Sequence, residues 1–370
     1  MKVLFLGDIM PGGVLPYRVH YINNQLLDWM CSFELRIGTL ECAVGDNLPM
    51  DPVKMAGRQN IIFCRPKDAD KLNEMKIDVV SLANNHVYDL GKEGLASTMS
   101  WLDAHGIKHC GAGMNIAEAS APVVVEIDGK KLGFYACCEY GSAYIGHLQI
   151  ATETEPGVNA LDLERVVEDI KRLKSQCDYV FVLPHWGQEY QYLPTPKNVF
   201  EAKAMIEAGA DGVFASHPHQ IQPWIRHKDR PIAFSMGNYL FPDFFMAPPR
   251  PIFYPEGDVD ESSMPRFYGY PKKVDVPTVQ VWRHLSRIGM AVSCTINDSD
   301  IRIHPTMVYT EGRSNCLDYY MTTGPMNLRM AWMGRYIKLP YYNSWFKIYH
   351  SKWNVVRRGF HLLRKIIAKR

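Results

Sequence analysis

Short apolar runs separated by amphipathic stretches recur from residue 3 to residue 235, and this alternation constrains the fold more than any other feature of the chain. Val3–Leu6, Leu35–Leu40, Val79–Leu82, Leu132–Cys138, Tyr179–Leu183, Gly212–Ala215 and Ile232–Ser235 read as buried strands. Between several of them, Ile22–Met30, Ala69–Met75, Glu93–His105, Leu161–Gln176 and Asn198–Ala208 carry the spacing of amphipathic helices. Strands spaced by helices of this length predict an α/β fold with a substantial buried sheet. Further on, Thr278–Thr295 and Ile301–Val308 have no helical stretch between them, and the polar NDSD at 297–300 suits a hairpin turn. These two segments are expected to pair as antiparallel strands. Residues 242–277, rich in Pro, Gly and aromatics and without a period, are expected to be a long loop insertion.

The ends of the expected strands share a type of residue. The first ends in Gly7-Asp8, the second in Thr39-Leu40-Glu41, and the third runs into Asn84-Asn85-His86, with Asp89 beyond. Another ends in Pro184-His185-Trp186-Gly187, and the run to Ala215 leads into Ser216-His217-Pro218-His219. Each has an ordinary reading: a strand-end turn, a solvated acid, a core histidine held by backbone, an asparagine that tolerates left-handed backbone. The recurrence at five strand ends favours a shared site, since ligands of open α/β sheets bind outside the carboxyl ends of the strands. Asp8, Glu41, Asn85, His185, His217 and His219 offer imidazole, carboxylate and amide oxygen without thiolate. That set suits Mn, Fe, Zn or Mg rather than a structural zinc. Six ligands exceed one tetrahedral ion and suit two ions bridged by a carboxylate, an arrangement that activates water for hydrolysis.

The motifs "GDIM" at 7–10, "TLE" at 39–41, "SLANNHVYDLGKEGL" at 81–95, "GAGMNIAEA" at 111–119, "PHWGQEY" at 184–190, "GADGVFASHPHQIQ" at 209–222 and "SMGNYLF" at 235–241 follow one another in an order that resembles the bacterial capsule-synthesis (poly-gamma-glutamate synthesis, CapA) family, a branch of the calcineurin-like metallophosphoesterase superfamily. The resemblance covers nearly all of residues 1–310. It implies a four-layer α/β/β/α sandwich over residues 1–312, with 313–370 as a basic, aromatic C-terminal extension. It further implies one or two divalent ions, with Asp8 and His219 on the first, Asn85, His185 and His217 on the second, and Glu41 bridging. His86 takes the place of the general acid or transition-state stabiliser, oriented by Asp89, and Gly237 and Asn238 line the site and meet substrate. The superfamily pattern Asp-x-His has Met10 at its third place here, and Thr39 stands where the family carries Asn. The activity implied is a metal-dependent hydrolase acting on a phosphoester or amide-type bond in cell-surface polymer synthesis. The alternative is a non-catalytic accessory or scaffold protein of the synthesis complex.

Charge is distributed unevenly. Residues 319–370 hold eleven Lys or Arg and no acid, which leaves the rest of the chain at −9 although the whole carries +2. From 345 to 367, Phe346, Tyr349, Trp353, Val356, Phe360, Leu363 and Ile367 fall three or four apart beside basic residues, the pattern of an amphipathic helix that meets an anionic membrane surface or a partner. No motif accompanies the charge that would direct it to nucleic acid. Nine cysteines without a CxxC pair read as reduced and mostly buried. The opening MKVLFLGDIMPGG is broken too soon by Gly7 and Asp8 for a signal segment, so a cytoplasmic location, peripheral on the inner membrane face, is expected.

Overall fold

The computed structural model describes residues 1–141, 145–257, 260–269, 273–297, 300–320 and 323–347. Two sheets form its centre. In the first, the strands run in the spatial order Leu317–Tyr319, Asp300–Thr310, Ile288–Asn297, Lys2–Ile9, Leu35–Leu40, Val79–Ser81 and Lys108–Cys110, with Asn238–Leu240 also paired to the end of Lys2–Ile9. The strands from Lys2–Ile9 to Lys108–Cys110 are parallel, and the other side of the sheet is antiparallel. The second sheet has the order Trp224–His227, Arg230–Ala233, Gly212–Phe214, Tyr179–His185, Lys130–Cys138 and Val123–Ile127.

The period-two alternation of the second sheet builds the layers. Phe134, Phe181, Leu183 and Phe214 point into the core shared with the first sheet, where Phe5 stacks on Phe214 with ring centroids 3.9 Å apart and meets Phe181 at 5.1 Å. Tyr135, Val180, Val182 and Val213 point the other way, onto Val166, Ile170 and Leu173 of the helix Leu163–Lys174 and Val199, Ala202 and Met205 of the helix Pro196–Glu207. Both helices start on a side-chain cap, Asp162 and Thr195 respectively. The fold is the α/β/β/α sandwich expected, with a helical C-terminal extension.

Two expectations need correction. Thr278–Thr295 is not one strand: Thr278–Val281 belongs to a separate small sheet, a 3-10 turn at His284–Arg287 follows, and only Ile288–Asn297 pairs with Asp300–Thr310. At the break the side chain of Arg287 turns inward, its Nη2 donating to both oxygens of the buried Asp243 carboxylate. Residues 242–277 are likewise not all loop, since Phe244–Met246 and Arg266–Tyr268 flank Thr278–Val281 in that small sheet. Three-residue strands among prolines carry too few alternations to read from sequence.

Beyond residue 312, Leu317–Tyr319 adds an edge to the first sheet, and the helix Thr323–Ile337 packs Met330, Met333 and Ile337 inward. Tyr342 Oη donates to Pro194 O at 2.7 Å. The opposite side of this segment exposes Leu328, Trp332, Leu339 and Tyr341. The expected 345–367 helix lies outside the described residues beyond Lys347. Among the described residues, no helix is long and apolar enough to cross a membrane.

Candidate metal centre

The carboxyl ends of strands from both sheets meet at one edge. Gly7 is what lets the first of them reach it: a Cβ there would lie 1.9 Å from Gly237 O, so only glycine allows the Asn238–Leu240 strand to approach. Asp8 N then donates to Gly237 O at 2.9 Å, and the strand register shifts beside Asp8. Asn84 shapes the loop after Val79–Ser81, its Oδ1 accepting from His86 N and Val87 N while Nδ2 donates to Leu40 O, at 2.8–2.9 Å. In the "SHPHQ" stretch, His217 (φ +99°) and His219 (φ +51°) both adopt positive φ around Pro218. Backbone held in these sparsely populated regions by a rigid surrounding is typical of functional sites.

Ligand-type atoms gather here in two sets. Glu41, His185 and His217 form one, and Asp8, Glu41 and His219 the other, each with its ligand atoms within 4.8 Å of one another. Glu41 is common to both. His185 Nε2 lies 2.8 Å from Asn85 Oδ1, 3.1 Å from His217 Nδ1 and 3.6 Å from Glu41 Oε1. His219 Nε2 is 3.7 Å from Glu41 Oε1, and its Nδ1 donates to Asn238 Oδ1 at 2.8 Å. Backbone N–H of His217 donates to Asp8 Oδ2 at 3.2 Å. All six of the expected ligands, Asp8, Glu41, Asn85, His185, His217 and His219, are therefore brought together, and all are buried.

Burial sets the electrostatics. It raises the Asp8 carboxyl to about 7 and pushes Glu41 well above the usual carboxylate range, the latter aided by the negative charge of Asp8. It lowers His219 to about 4 and His185 well below an ordinary imidazole, with His217 and His219 adding to the effect on His185. His185 and His219 thus favour the neutral form with a lone pair available, while the Asp8 and Glu41 carboxyls lie side by side and each resists losing its proton unless a cation is there to meet the charge. Asp8 Oδ1 and both oxygens of Glu41 accept no hydrogen bond from the described residues. Buried carboxylates of this kind are costly unless a cation meets them, so the residues present fit a divalent ion at each set.

Around the ligands, His86 Nδ1 donates to Asp89 Oδ2 at 2.7 Å. Gly237 and Asn238 occupy a different place from the one expected. Asn238 is buried behind His219, with Oδ1 on that imidazole and Nδ2 donating to Ser286 O at 3.0 Å, so both polar ends are engaged away from open space. Gly237, at φ +65°, lies within 3.2 Å of the 220–221 and 288 backbone, measured from where a Cβ would stand. Thr39 contacts Ser216 Oγ at 3.1 Å, and that hydroxyl lies 3.1 Å from His185 Nδ1. Met10 is buried beside the loop, its Sδ accepting from Gly12 N at 3.3 Å. Sequence reasoning missed Trp282, whose ring lies 4.8 Å from His219, and Lys54, whose ammonium meets the Asp89 carboxylate. Neither carries a sequence signal, because each reaches the site from a segment that shows no strand-end motif.

Comparison with known proteins places the chain in a family. Residues 2–243 match the family described as bacterial capsule synthesis protein PGA_cap, and the chain belongs to that family. It is 31% identical over 258 residues to a capsule biosynthesis protein CapA of Bacillus anthracis, covering 65% of this chain and 60% of the relative. To a PGA biosynthesis protein CapA of Bacillus subtilis it is 30% identical over 192 residues, covering 51% of this chain and 49% of the relative. The chain thus spans about half to three fifths of these relatives. Among solved structures, a hypothetical protein from Thermus thermophilus superposes with a TM-score of 0.45 at 14% identity, covering 83% of this chain and 98% of that one.

Proposed function

We propose that this chain is a metal-dependent hydrolase acting on a phosphoester or amide-type bond in the synthesis of a capsule or other cell-surface polymer. The observation that carries the reading is the pair of buried ligand sets joined by Glu41. A divalent ion at such a site supplies a water of lowered pKa and positive charge where an oxyanion develops. Asp8, Glu41 and His219 would hold one ion, and Glu41, Asn85, His185 and His217 the other. The lowered His185 and His219 imidazoles and the clustered carboxyls leave the site short of positive charge, which favours Mn, Fe, Zn or Mg binding without selecting one. His86, with Nδ1–H held by Asp89, presents Nε2 to the leaving group; in its doubly protonated form it gives the Nε2 proton to the departing atom and is left neutral, its Nδ1–H still donated to Asp89. Asn238 supports His219 rather than touching substrate.

The test is the purified protein with Mn²⁺ on bis(p-nitrophenyl) phosphate and p-nitrophenyl phosphate, beside a His185→Ala, His217→Ala double variant. Metal-dependent turnover lost in the variant supports the reading. An inactive parent that binds Mn²⁺ would instead favour the accessory role, in which the site holds metal or polymer without cutting.

The extension supports peripheral attachment to an anionic membrane face. Leu328, Trp332, Arg335 and Leu339, spaced four, three and four residues apart, are all exposed, in a region that carries eleven basic residues and no acid. Flotation with vesicles containing phosphatidylglycerol should recover the chain, and both a Leu328→Glu, Trp332→Glu variant and removal of residues 341–370, which hold eight of the eleven basic residues, should weaken recovery; recovery unchanged in both would reject this role for the extension.

A further inference from the structure

A buried lysine stands behind the metal centre, on a segment with no other part in it. Lys54 lies in the short helix Pro52–Ala56, whose N-terminal Asp51 caps it by accepting from Val53 N and Lys54 N. Its ammonium reaches two acceptors, Asp89 Oδ1 and the backbone carbonyl of Asn85. The side chain is 4% exposed and that of Asp89 is fully buried. Lysine is almost never buried to this degree unless paired, and its pairing here is to the two residues that flank His86 in space.

The network around Asp89 is closed. Oδ1 takes Lys54, while Oδ2 accepts from His86 Nδ1 at 2.7 Å and from Ile62 N at 2.6 Å. Asp89 O in turn accepts from Asp51 N at 2.9 Å, so the helix that carries Lys54 is tied to Asp89 by main chain as well. A carboxylate with one oxygen committed to an ammonium cannot swing to present that oxygen to the imidazole. It must meet His86 through Oδ2, and as an acceptor only, which places the ring proton on Nδ1 and leaves Nε2 as the nitrogen for the site. The second contact pins the main chain of Asn85, one residue before His86 and itself a candidate ligand.

We infer that Lys54 is a positioning residue for the proposed hydrolysis, fixing the orientation and tautomer of His86 through Asp89. The inference rests on the reading above, in which Nε2 of the doubly protonated His86 gives its proton to the leaving group while Nδ1–H stays donated to Asp89. Lys54 touches neither the ligand atoms nor open space, so its effect passes through the two residues it holds.

The experiment compares the full chain with Lys54→Met, Asp89→Asn and the double variant, with Mn²⁺ and bis(p-nitrophenyl) phosphate. Lys54→Met should lower kcat by about 10- to 100-fold, the usual effect of removing an outer hydrogen-bond partner, with KM nearly unchanged. Because Lys54 and Asp89 act as one unit, the double variant should lose no more than the worse single one. Multiplying losses, or an unchanged kcat in Lys54→Met, would overturn the inference. Imidazole ¹⁵N correlation spectra of the metal-free protein supply a readout independent of turnover: His86 should carry its proton on Nδ1 in the parent and show mixed tautomers in Lys54→Met. A proton on Nε2 in the parent overturns the inference, even in a protein with no hydrolytic activity. Should Lys54→Met fail to fold, Lys54→Gln retains a donor in similar space; collapse of both by circular dichroism would make Lys54 structural and also overturn it. A parent that neither binds Mn²⁺ nor turns over substrate refutes the hydrolase reading instead, while the spectra still decide the Lys54–Asp89–His86 arrangement.

Discussion

Replacing Asp8 by Asn should stabilise the metal-free protein at neutral pH while abolishing its stabilisation by metal. Asp8 is fully buried, and burial raises its carboxyl from 3.8 to about 7. The folded chain therefore keeps a proton that the unfolded chain has released. That difference works against folding: its cost is absent below about pH 4, grows as pH rises to about 7, and is then constant. At about 1.4 kcal/mol for each pH unit, ionising Asp8 costs the metal-free fold about 4 kcal/mol at pH 8. Glu41, raised in the same direction by burial and by Asp8 itself, steepens the slope. A divalent cation reverses the sign, since it binds the ionised carboxylates. The amide of Asp8→Asn cannot ionise, so this variant should lose Asp8's share of the downward slope between pH 4 and 7 and keep that of Glu41, less the charge-assisted bond from His217 N to Asp8 Oδ2. Urea unfolding at pH 5, 6, 7 and 8, with EDTA or with Mn²⁺, measures each part. The reasoning fails if the metal-free parent is equally stable at pH 5 and pH 8, or if Asp8→Asn retains the full stabilisation by Mn²⁺.

Two other substitutions probe how the site is held. Asn238→Ala leaves His219 Nδ1 and Ser286 O without their partner, so Mn²⁺ affinity by calorimetry should fall about 10- to 100-fold, with a folding loss of about 1–3 kcal/mol. Gly7→Ala drives a methyl against Gly237 O, and the strand must move; a loss at or above the usual overpacking range of about 1–3 kcal/mol should appear in urea unfolding together with loss of Mn²⁺ binding.

Much of the fold was legible because its central strands are long and flanked by residues that end them. Tyr179–His185 and Lys130–Cys138 alternate faces so regularly that both layers of packing follow from their order, and the helices opposite them begin on Asp162 and Thr195. The small sheet of Phe244–Met246, Arg266–Tyr268 and Thr278–Val281 was not legible, because each strand is at most four residues and its partners are distant in the chain. Asn238 shows the same limit within the site. Its position after Gly237 marked it as near the centre, but whether its amide faces substrate or His219 depends on the approach of the Ile288–Asn297 strand and its preceding turn.

By itself, the sequence determined which residues could be ligands and that they sit at strand ends, since residue type and the period of two are local properties. Tertiary structure decided that six of them, spread over 212 positions from Asp8 to His219, share one buried edge with Glu41 common to both sets. It also decided that Lys54 is the cation behind His86 rather than a solvated surface charge. Burial is the physical reason for the difference: the same carboxyl, imidazole or ammonium is ordinary in water, and acquires its displaced pKa, its need of a cation or its obligatory partner only when two sheets and a loop have removed water from around it.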